Sequence, residues 1–204
     1  MMAFAAPGTG WYRRLPRRSP NRRETIPTDP TGRLPSRLDL ARAVEAVISD
    51  GLVVNAGVTA GFLLRDELTL APGQFLTTKS GGLGYGLSAA IGSAIAEEDR
   101  ADPRPVVGYI GDGSFQYSPQ ALYTAARCVD AALSLLLVDN GAYAILREAG
   151  HDHPALSFDP GTDVVTIASG YGVAATSPDG ELEADLRETI DRNVPTMVHV
   201  PVYG

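Results

Sequence analysis

The chain has 204 residues, 44% of them hydrophobic, which is enough for one domain with a buried core. Its 17 basic and 24 acidic residues give a net charge of −7, and this argues against nucleic acid as a partner, because phosphates need a basic surface. One cysteine excludes a disulfide framework and no apolar run is long enough to cross a bilayer, so we expect a cytoplasmic protein without a membrane partner.

The charge is distributed unevenly along the chain. Residues 1–37 contain eight arginines and six prolines without an apolar period, whereas the remainder is acidic. Such a composition buries too little apolar surface to offset chain entropy, so we predict a disordered tail over 1–37 and a folded domain over 38–204. The tail has three open interpretations: a transit-like segment, a polyanion-binding arm, or a linker or remnant of a longer gene.

Alternating helices and strands begin at Leu38. Apolar residues recur there at helical spacing, Ser36 is a candidate N-cap, and Gly51 ends the helix before a short buried strand. A loop and a second helix follow, and 74–77 predicts another strand.

A glycine-rich loop comes next. Four glycines lie within 81–86, ahead of an apolar helix over 87–96 and a predicted polar surface loop over 97–103. Glycines allow backbone shapes closed to other residues and let a flat ligand approach closely. Glycine-rich loops are common, so such a loop alone is weak evidence for a ligand site. The position of this loop directly before a helix strengthens the prediction.

Two apolar strands and the helix between them organise the rest. One strand, 106–110, runs into Gly111-Asp112-Gly113-Ser114, and another, 133–138, runs into Asp139-Asn140-Gly141. The helix predicted over 118–128 would be capped by Ser118. A strand, a crossover helix and a parallel strand form one βαβ unit, whose strand tips meet at the carboxyl edge of the sheet. We therefore expect Asp112 and Asn140 to converge.

The chemistry of these tips suits a metal-bridged diphosphate. A carboxylate, an amide oxygen and loop carbonyls are the oxygen ligands that magnesium or calcium takes, usually together with phosphate oxygens. Gly111 and Gly113 let backbone amides approach an anion, and Ser114 adds a hydroxyl beside a helix start. The alternative is that both motifs are ordinary turns, which their joint position at two strand ends makes less favourable.

The remaining pattern completes the fold prediction. A short helix over 143–149, a helix over 163–169 ending at Gly170, a strand over 173–176, a helix over 179–192 and a last strand over 196–200 follow in order. Six strands alternating with helices predict an α/β fold with a doubly wound, mostly parallel six-stranded sheet and helices on both faces.

The two strand tips resemble the signature of thiamine diphosphate enzymes. Gly111-Asp112-Gly113-Ser114, followed at this distance by Asn140-Gly141, is most similar to the diphosphate-binding domain of benzoylformate decarboxylase and related 2-oxo-acid decarboxylases and acetolactate synthases. The resemblance implies thiamine diphosphate and magnesium as cofactors, with Asp112, Asn140 and the Ala142 carbonyl as metal ligands. The family usually has two asparagines where this chain has Asp139-Asn140, and Asp139 would add negative charge near the metal.

The resemblance also implies which residues contact the cofactor. Thr59 and the amides of Gly57 and Val58 would meet the terminal phosphate, although Thr59 is equally explained as a helix cap. The Gly81 carbonyl would accept a hydrogen bond from the aminopyrimidine, and Leu83 would either wedge between the two rings of the bent cofactor or only pack in the core. The full implied set is Gly57, Thr59, Gly81, Gly82, Leu83, Gly111, Asp112, Gly113, Ser114, Asn140, Ala142, Tyr143, Ile145 and Leu146.

A histidine pair follows this region. His151 and His153 alternate on a loop and cannot easily bind one ion without further ligands, so we interpret them as solvated. His151 is kept only as a candidate for contacting substrate.

The resemblance finally implies what the chain lacks. Full-length members carry a separate pyrimidine-binding domain with an activating glutamate, and no such domain or glutamate is evident in this sequence. The chain would then hold half of an active site and no catalytic residue of its own, active only with a pyrimidine-domain subunit, through self-association, or both. We expect part of a carboxy-lyase for a small 2-oxo acid. The alternatives are half of an acetolactate synthase-like carboligase and a truncated, non-catalytic diphosphate-binding module.

Overall fold

The computed structural model describes residues 32, 34–151, 153–158, 160–178 and 181–203. Most of the predicted tail, 1–31 and 33, lies outside the described residues, as does Asp152. Within the described ranges, no helix is both long and apolar enough to cross a membrane.

Six strands in this part of the chain form one parallel sheet. They are β1 Leu52–Ala56, β2 Phe75–Thr77, β3 Val106–Gly111, β4 Leu133–Asp139, β5 Ala174–Thr176 and β6 Thr196–Pro201. The strand order is β2-β1-β3-β4-β6-β5, and every neighbouring pair is parallel.

Helices cover both faces of the sheet. They are α1 Arg37–Val47, α2 Val58–Glu67, α3 Tyr85–Glu98, α4 Asp112–Phe115, α5 Leu122–Cys128, α6 Ala144–Glu148, α7 Val164–Tyr171 and α8 Leu182–Asp191. Helices α3, α5 and α7 share a core with one face, and α1, α2 and α8 share a core with the other. Because the central strands β1, β3 and β4 are covered on both sides, their sequences are predominantly apolar, with Asn55 and Ser134 as polar interruptions. The predicted doubly wound sheet is confirmed.

The strand order creates a crevice at one edge of the sheet. After β1 the chain forms β2 on one side of it, and then β3 and β4 on the other side. In doubly wound folds, ligands bind outside the carboxyl ends of the strands where the order reverses in this way. The tips of β1, β3 and β4 therefore mark the place to look for a site.

The start of the folded domain is fixed by a capping box. The Ser36 hydroxyl accepts from the Asp39 amide at 3.2 Å, and the Asp39 carboxylate accepts from the Ser36 amide at 2.9 Å. Ser36 also pairs with Tyr203 in a short parallel bridge. The predicted N-cap is confirmed.

One predicted helix start is wrong. The chain forms a 3-10 turn over Pro119–Ala121 before α5 begins at Leu122, and the Ser118 side chain caps neither. Its hydroxyl instead donates to the Gly84 carbonyl at 3.1 Å. The hydroxyl that the local sequence predicted as a cap is therefore used in a tertiary hydrogen bond to Gly84.

Two further boundaries differ for physical reasons. Helix α7 continues to Tyr171 and is not ended by Gly170, because the glycine that takes the helix-terminating left-handed conformation, φ 92°, is Gly172. Glu97 is not part of a polar surface loop but belongs to α3. Its side chain is only 6% exposed, because Arg104 binds it.

Candidate functional site

A cleft of about 450 Å³, open to solvent, lies where the strand order reverses. It is bounded by the ends of β1, β3 and β4, by Leu83 and by the start of α6, and we call it the first cleft. Eleven of the fourteen residues predicted from the sequence line it: Gly57, Thr59, Leu83, Gly111, Asp112, Gly113, Ser114, Asn140, Ala142, Tyr143 and Ile145.

The other three predicted residues lie elsewhere. Gly81 and Gly82 line a second cleft of about 770 Å³, between α2, β2 and the glycine-rich loop. The two clefts share Ala56, Gly57, Val58 and Leu83, and Leu83 is the shared residue that comes from the glycine-rich loop. Its side chain therefore lies at their boundary on that side. Leu146 lines neither of these clefts and is 40% exposed.

Asp112 and Asn140 converge as the βαβ argument predicts. The Ala142 amide lies 3.2 Å from the Asp112 carboxylate and 3.2 Å from the Asn140 amide oxygen, so both oxygens meet at one nitrogen. The second Asp112 oxygen accepts from the Gly113 amide at 2.8 Å. The three residues predicted to bind the metal thus lie close together, although they follow two different strands. Ala142 makes these contacts through its amide, whereas its carbonyl is the predicted ligand.

The Asp112 carboxylate is in an unfavourable environment. Burial, followed by the neighbouring Asp139 carboxylate, raises the pKa of Asp112 to about 7. Within the described ranges, no basic side chain offsets this carboxylate, which is buried beside a second one. The donor set of carboxylate and amide oxygens fits Mg²⁺, which would supply that charge.

Asp139 is held by a residue that the sequence analysis missed. His199, on β6, lies 2.8 Å from the Asp139 carboxylate, and this hydrogen bond is the main cause of the lowered pKa of Asp139. The Gly141 amide donates to the other Asp139 oxygen at 2.9 Å. The only sequence signal for this contact was a histidine within the otherwise apolar run 197–200. That signal does not show which strand lies beside β6, and so it does not identify Asp139 as the partner.

The part of the first cleft that was predicted to bind phosphate is formed by the start of α2 and by the turn after β3. Gly57 is the N-cap of α2, so the interpretation of Thr59 as that cap is wrong. The Gly57 amide is bound by the Asn55 side chain at 3.1 Å and is not available to an anion. The amides of Val58 and Thr59 begin the helix and have no partner within it, so they are the better donors.

Close packing requires glycine at one position of the turn. A Cβ at Gly113 would lie 2.8 Å from the ring of Tyr143. That ring packs edge-on against Phe158, with centroids 4.7 Å apart. The segment after Asn140 folds back on itself here, since the Phe158 amide donates to the Gly141 carbonyl at 2.8 Å.

The histidine pair remains outside both clefts. His151 is exposed, and the His153 ring accepts from the Ala155 amide at 3.1 Å and so caps a 3-10 turn. Among the described residues, no group of three or more His, Cys, Asp or Glu is arranged to hold a metal.

Comparison with known proteins identifies the family. Residues 62–200 match the profile described as thiamine pyrophosphate enzyme, C-terminal TPP binding domain, thiamine pyrophosphate being another name for thiamine diphosphate. The chain belongs to this family. The predicted resemblance is confirmed, and the matched region is the cofactor-binding domain of a decarboxylase- or synthase-like thiamine diphosphate enzyme.

Individual relatives agree with this assignment. Benzoylformate decarboxylase of Pseudomonas aeruginosa is 39% identical over 137 residues, which are 64% of this chain and 25% of the relative. The large subunit of acetolactate synthase isozyme 1 of Escherichia coli is 30% identical over 183 residues, 82% of this chain and 31% of the relative. The solved structure of a 4-hydroxybenzoylformate decarboxylase from Rhodococcus jostii superposes with a TM-score of 0.74 at 30% identity, covering 82% of this chain and 32% of that one. The chain thus spans about a quarter to a third of the length of these relatives.

Proposed function

We propose that the first cleft binds the diphosphate of thiamine diphosphate through one Mg²⁺, and that the chain is the diphosphate-binding half of a 2-oxo-acid decarboxylase. The observation that carries the metal assignment is the convergence of Asp112 and Asn140 on the Ala142 amide, 3.2 Å from each. Asp112, Asn140 and the Ala142 carbonyl would be the protein ligands. The Asp139 carboxylate beside them would strengthen the attraction for a divalent cation.

The ring end of the cofactor would lie at Leu83. Thiamine diphosphate supplies a carbon nucleophile that adds to a keto group and takes up the electrons released as carbon dioxide leaves. The chain's role would be to hold the two cofactor rings, with Leu83 between them and the Gly81 carbonyl on the aminopyrimidine. Support comes from the position of Leu83 at the boundary of the two clefts and from Ile145, which faces the same space.

The missing part of the active site would come from a pyrimidine-binding domain. Because the chain spans only a quarter to a third of its relatives, the activating glutamate of the family would lie on a separate subunit or on further sequence. We propose that the diphosphate domain begins at Ser36 and Arg37, two residues before the predicted boundary at 38, because Ser36 caps α1 and Arg37 is its first residue. The segment before them would lie outside the domain. A small 2-oxo acid would be the substrate, and the chain alone would not turn it over.

Calorimetric titration of the 204-residue chain with thiamine diphosphate tests the metal site. We expect binding with Mg²⁺ and at least a tenfold loss without it, and the same loss in Asp112→Ala and Asn140→Ala. Asp191→Asn removes one negative charge on α8, away from the cleft, and should bind like the parent. Unchanged binding in Asp112→Ala would overturn the site.

A second candidate function is half of an acetolactate synthase-like carboligase. The Escherichia coli relative is the specific reason, since its alignment covers 82% of the chain against 64% for benzoylformate decarboxylase. An assay distinguishes the two candidate functions. The chain is mixed with the pyrimidine-binding domain of a relative, and the products formed from a 2-oxo acid are identified. Release of carbon dioxide with an aldehyde product supports the decarboxylase, and a ligated hydroxy-keto product supports the carboligase.

A further inference from the structure

Both backbone polar groups of Gly84 are held by serine side chains. The Gly84 amide donates to the Ser114 hydroxyl at 3.0 Å, and the Ser118 hydroxyl donates to the Gly84 carbonyl at 3.1 Å. Both hydrogen bonds are partly buried and join positions at least 30 residues apart in the chain. They are therefore tertiary contacts and not local turn bonds.

Gly84 is also fixed by its own conformation and packing. Its φ of 86° lies in the left-handed region, and an added Cβ would lie 2.6 Å from the Cβ of Tyr117. Two hydrogen bonds, from Ser114 and Ser118, and the close approach of Tyr117 thus meet at this one residue. They come from the segment that follows β3 directly.

The Ser118 hydroxyl binds Gly84 and does not cap the helical turn that follows it. A serine before a proline-initiated helix usually caps it, and a cap contributes about 1 kcal/mol. Here the turn after Ser118 has no side-chain cap. The Ser118 hydroxyl makes the hydrogen bond to Gly84 in place of the cap.

Gly84 directly follows Leu83, the residue of the glycine-rich loop that lies at the boundary of the two clefts. Leu83 precedes Gly84 and lines both clefts. On its other side, a Cβ at Gly82 would meet only Ser80 Oγ of the same loop, at 3.5 Å, and a Cβ at Gly81 would meet nothing within 4 Å, so neither position is packed against another element. The orientation of Leu83 is therefore set from the Gly84 side.

We infer that Ser118, with Ser114, is a positioning residue for Leu83 and couples the diphosphate turn after β3 to the ring end of the site. This inference rests on the proposed function, because it assigns Leu83 to the cofactor rings. Ser114 belongs to the diphosphate turn itself, whereas Ser118 does not line the first cleft. Ser118 therefore acts only through Gly84.

Comparing two ligands tests this inference. Mg²⁺ with inorganic pyrophosphate probes the diphosphate end alone, and Mg²⁺ with thiamine diphosphate probes both ends. In calorimetric titrations, Ser118→Ala should weaken thiamine diphosphate binding about fivefold, which corresponds to one lost hydrogen bond, and should leave pyrophosphate binding within twofold. Ser118→Thr keeps the hydroxyl and should restore binding. Ser88→Ala, an exposed serine on α3, is the matched control and should change neither affinity.

A second measurement keeps the two proposals separable. Amide hydrogen exchange at Gly84 in the cofactor-free chain should be at least tenfold faster in Ser114→Ala, which removes the acceptor of that amide. If the parent binds no thiamine diphosphate, the proposed function fails, and an unchanged Gly84 exchange rate in Ser114→Ala then overturns the coupling as well. If the parent binds, equal thiamine diphosphate affinity in Ser118→Ala, or a parallel loss of pyrophosphate affinity, overturns the positioning role.

Discussion

Gly86 and Gly92 lie on the same helix, α3, in opposite environments. A Cβ at Gly86 would lie 2.1 Å from the Cβ of Ala56 and 2.9 Å from Ile110 Cδ1, whereas a Cβ at Gly92 would meet nothing within 4 Å. The helix approaches β1 so closely that only glycine fits at Gly86. At Gly92, on the exposed side, glycine only lowers helix propensity.

Alanine at these two positions should therefore have effects of opposite sign. We expect Gly86→Ala to lower the free energy of unfolding by about 1–3 kcal/mol through overpacking. Gly92→Ala should raise it by about 0.5–1 kcal/mol through helix propensity. Urea unfolding of both variants measures this. A raised free energy of unfolding in Gly86→Ala would contradict the close approach of α3 to β1, and a lowered one in Gly92→Ala would contradict the exposed position of Gly92.

The candidate site shows what single residues in a sequence can and cannot predict. The proximity of Asp112 and Asn140 could be predicted from the sequence, because the βαβ rule places successive strand tips side by side. His199 could not, because its contact with Asp139 depends on β6 lying next to β4, an arrangement that no local pattern encodes. The same holds for Asn55, whose side chain binds the Gly57 amide that we had assigned to phosphate.

At the scale of elements, the strands were predicted better than the ends of helices. Each strand is an apolar run bounded by glycine, proline or polar residues, so its limits are local and differ by at most two residues from the predicted ones. Helix ends depend on capping groups, and a capping group can be used elsewhere. Ser118, the predicted cap, contacts Gly84 instead. The end of α3 was missed for another reason, because the tertiary contact with Arg104 keeps Glu97 in the helix and out of the predicted surface loop.

The Glu97–Arg104 pair ties the end of α3 to the segment before β3. The Arg104 guanidinium and backbone amide both donate to the Glu97 carboxylate at 3.1 Å. The guanidinium hydrogen bond is the main reason that the pKa of Glu97 is lowered from 4.5. A carboxyl whose pKa is lower in the folded state stabilises that state above its unfolded pKa, and the contribution is lost as the pH falls through the folded value.

Glu97→Gln should therefore destabilise the chain at neutral pH by about 2 kcal/mol. This is less than a fully buried pair would cost, because Arg104 is 26% exposed. The difference from the parent should shrink in acid, where the parent carboxyl is also uncharged. Glu183→Gln, which breaks an exposed pair with Arg187, is the control and should change stability by at most about 0.5 kcal/mol. Urea unfolding at neutral and acid pH checks both variants, and an equal loss at the two pH values would refute the ionic contribution.

At the scale of the whole molecule, the doubly wound topology places the residues predicted to bind the cofactor and the metal at one edge of the sheet. They come from segments after β1, β3 and β4 and from the glycine-rich loop, separated by up to about half of the described chain, and meet at one edge of the sheet. A ligand bound there contacts several elements at once. Any ligand that binds only the folded state stabilises the whole domain by mass action.

Cofactor and metal should accordingly raise the melting temperature together. With Mg²⁺ and thiamine diphosphate at about one hundred times the dissociation constant, we expect a rise of roughly 5–10 °C in a thermal melt. A chelator should abolish the rise, and Asp112→Ala should show none. An undiminished rise in the presence of the chelator would mean that the diphosphate binds without the metal.

The sheet ends in very short strands on both sides, and this bears on how copies of the chain can associate. Within the described residues, β2 and β5 form the two edges and have three residues each. So short an edge exposes few unpaired backbone groups, and strand addition and the aggregation that it seeds need a long template. Intermolecular sheet extension is therefore disfavoured in this fold, and stable contacts with another chain should form through helices and cleft rims.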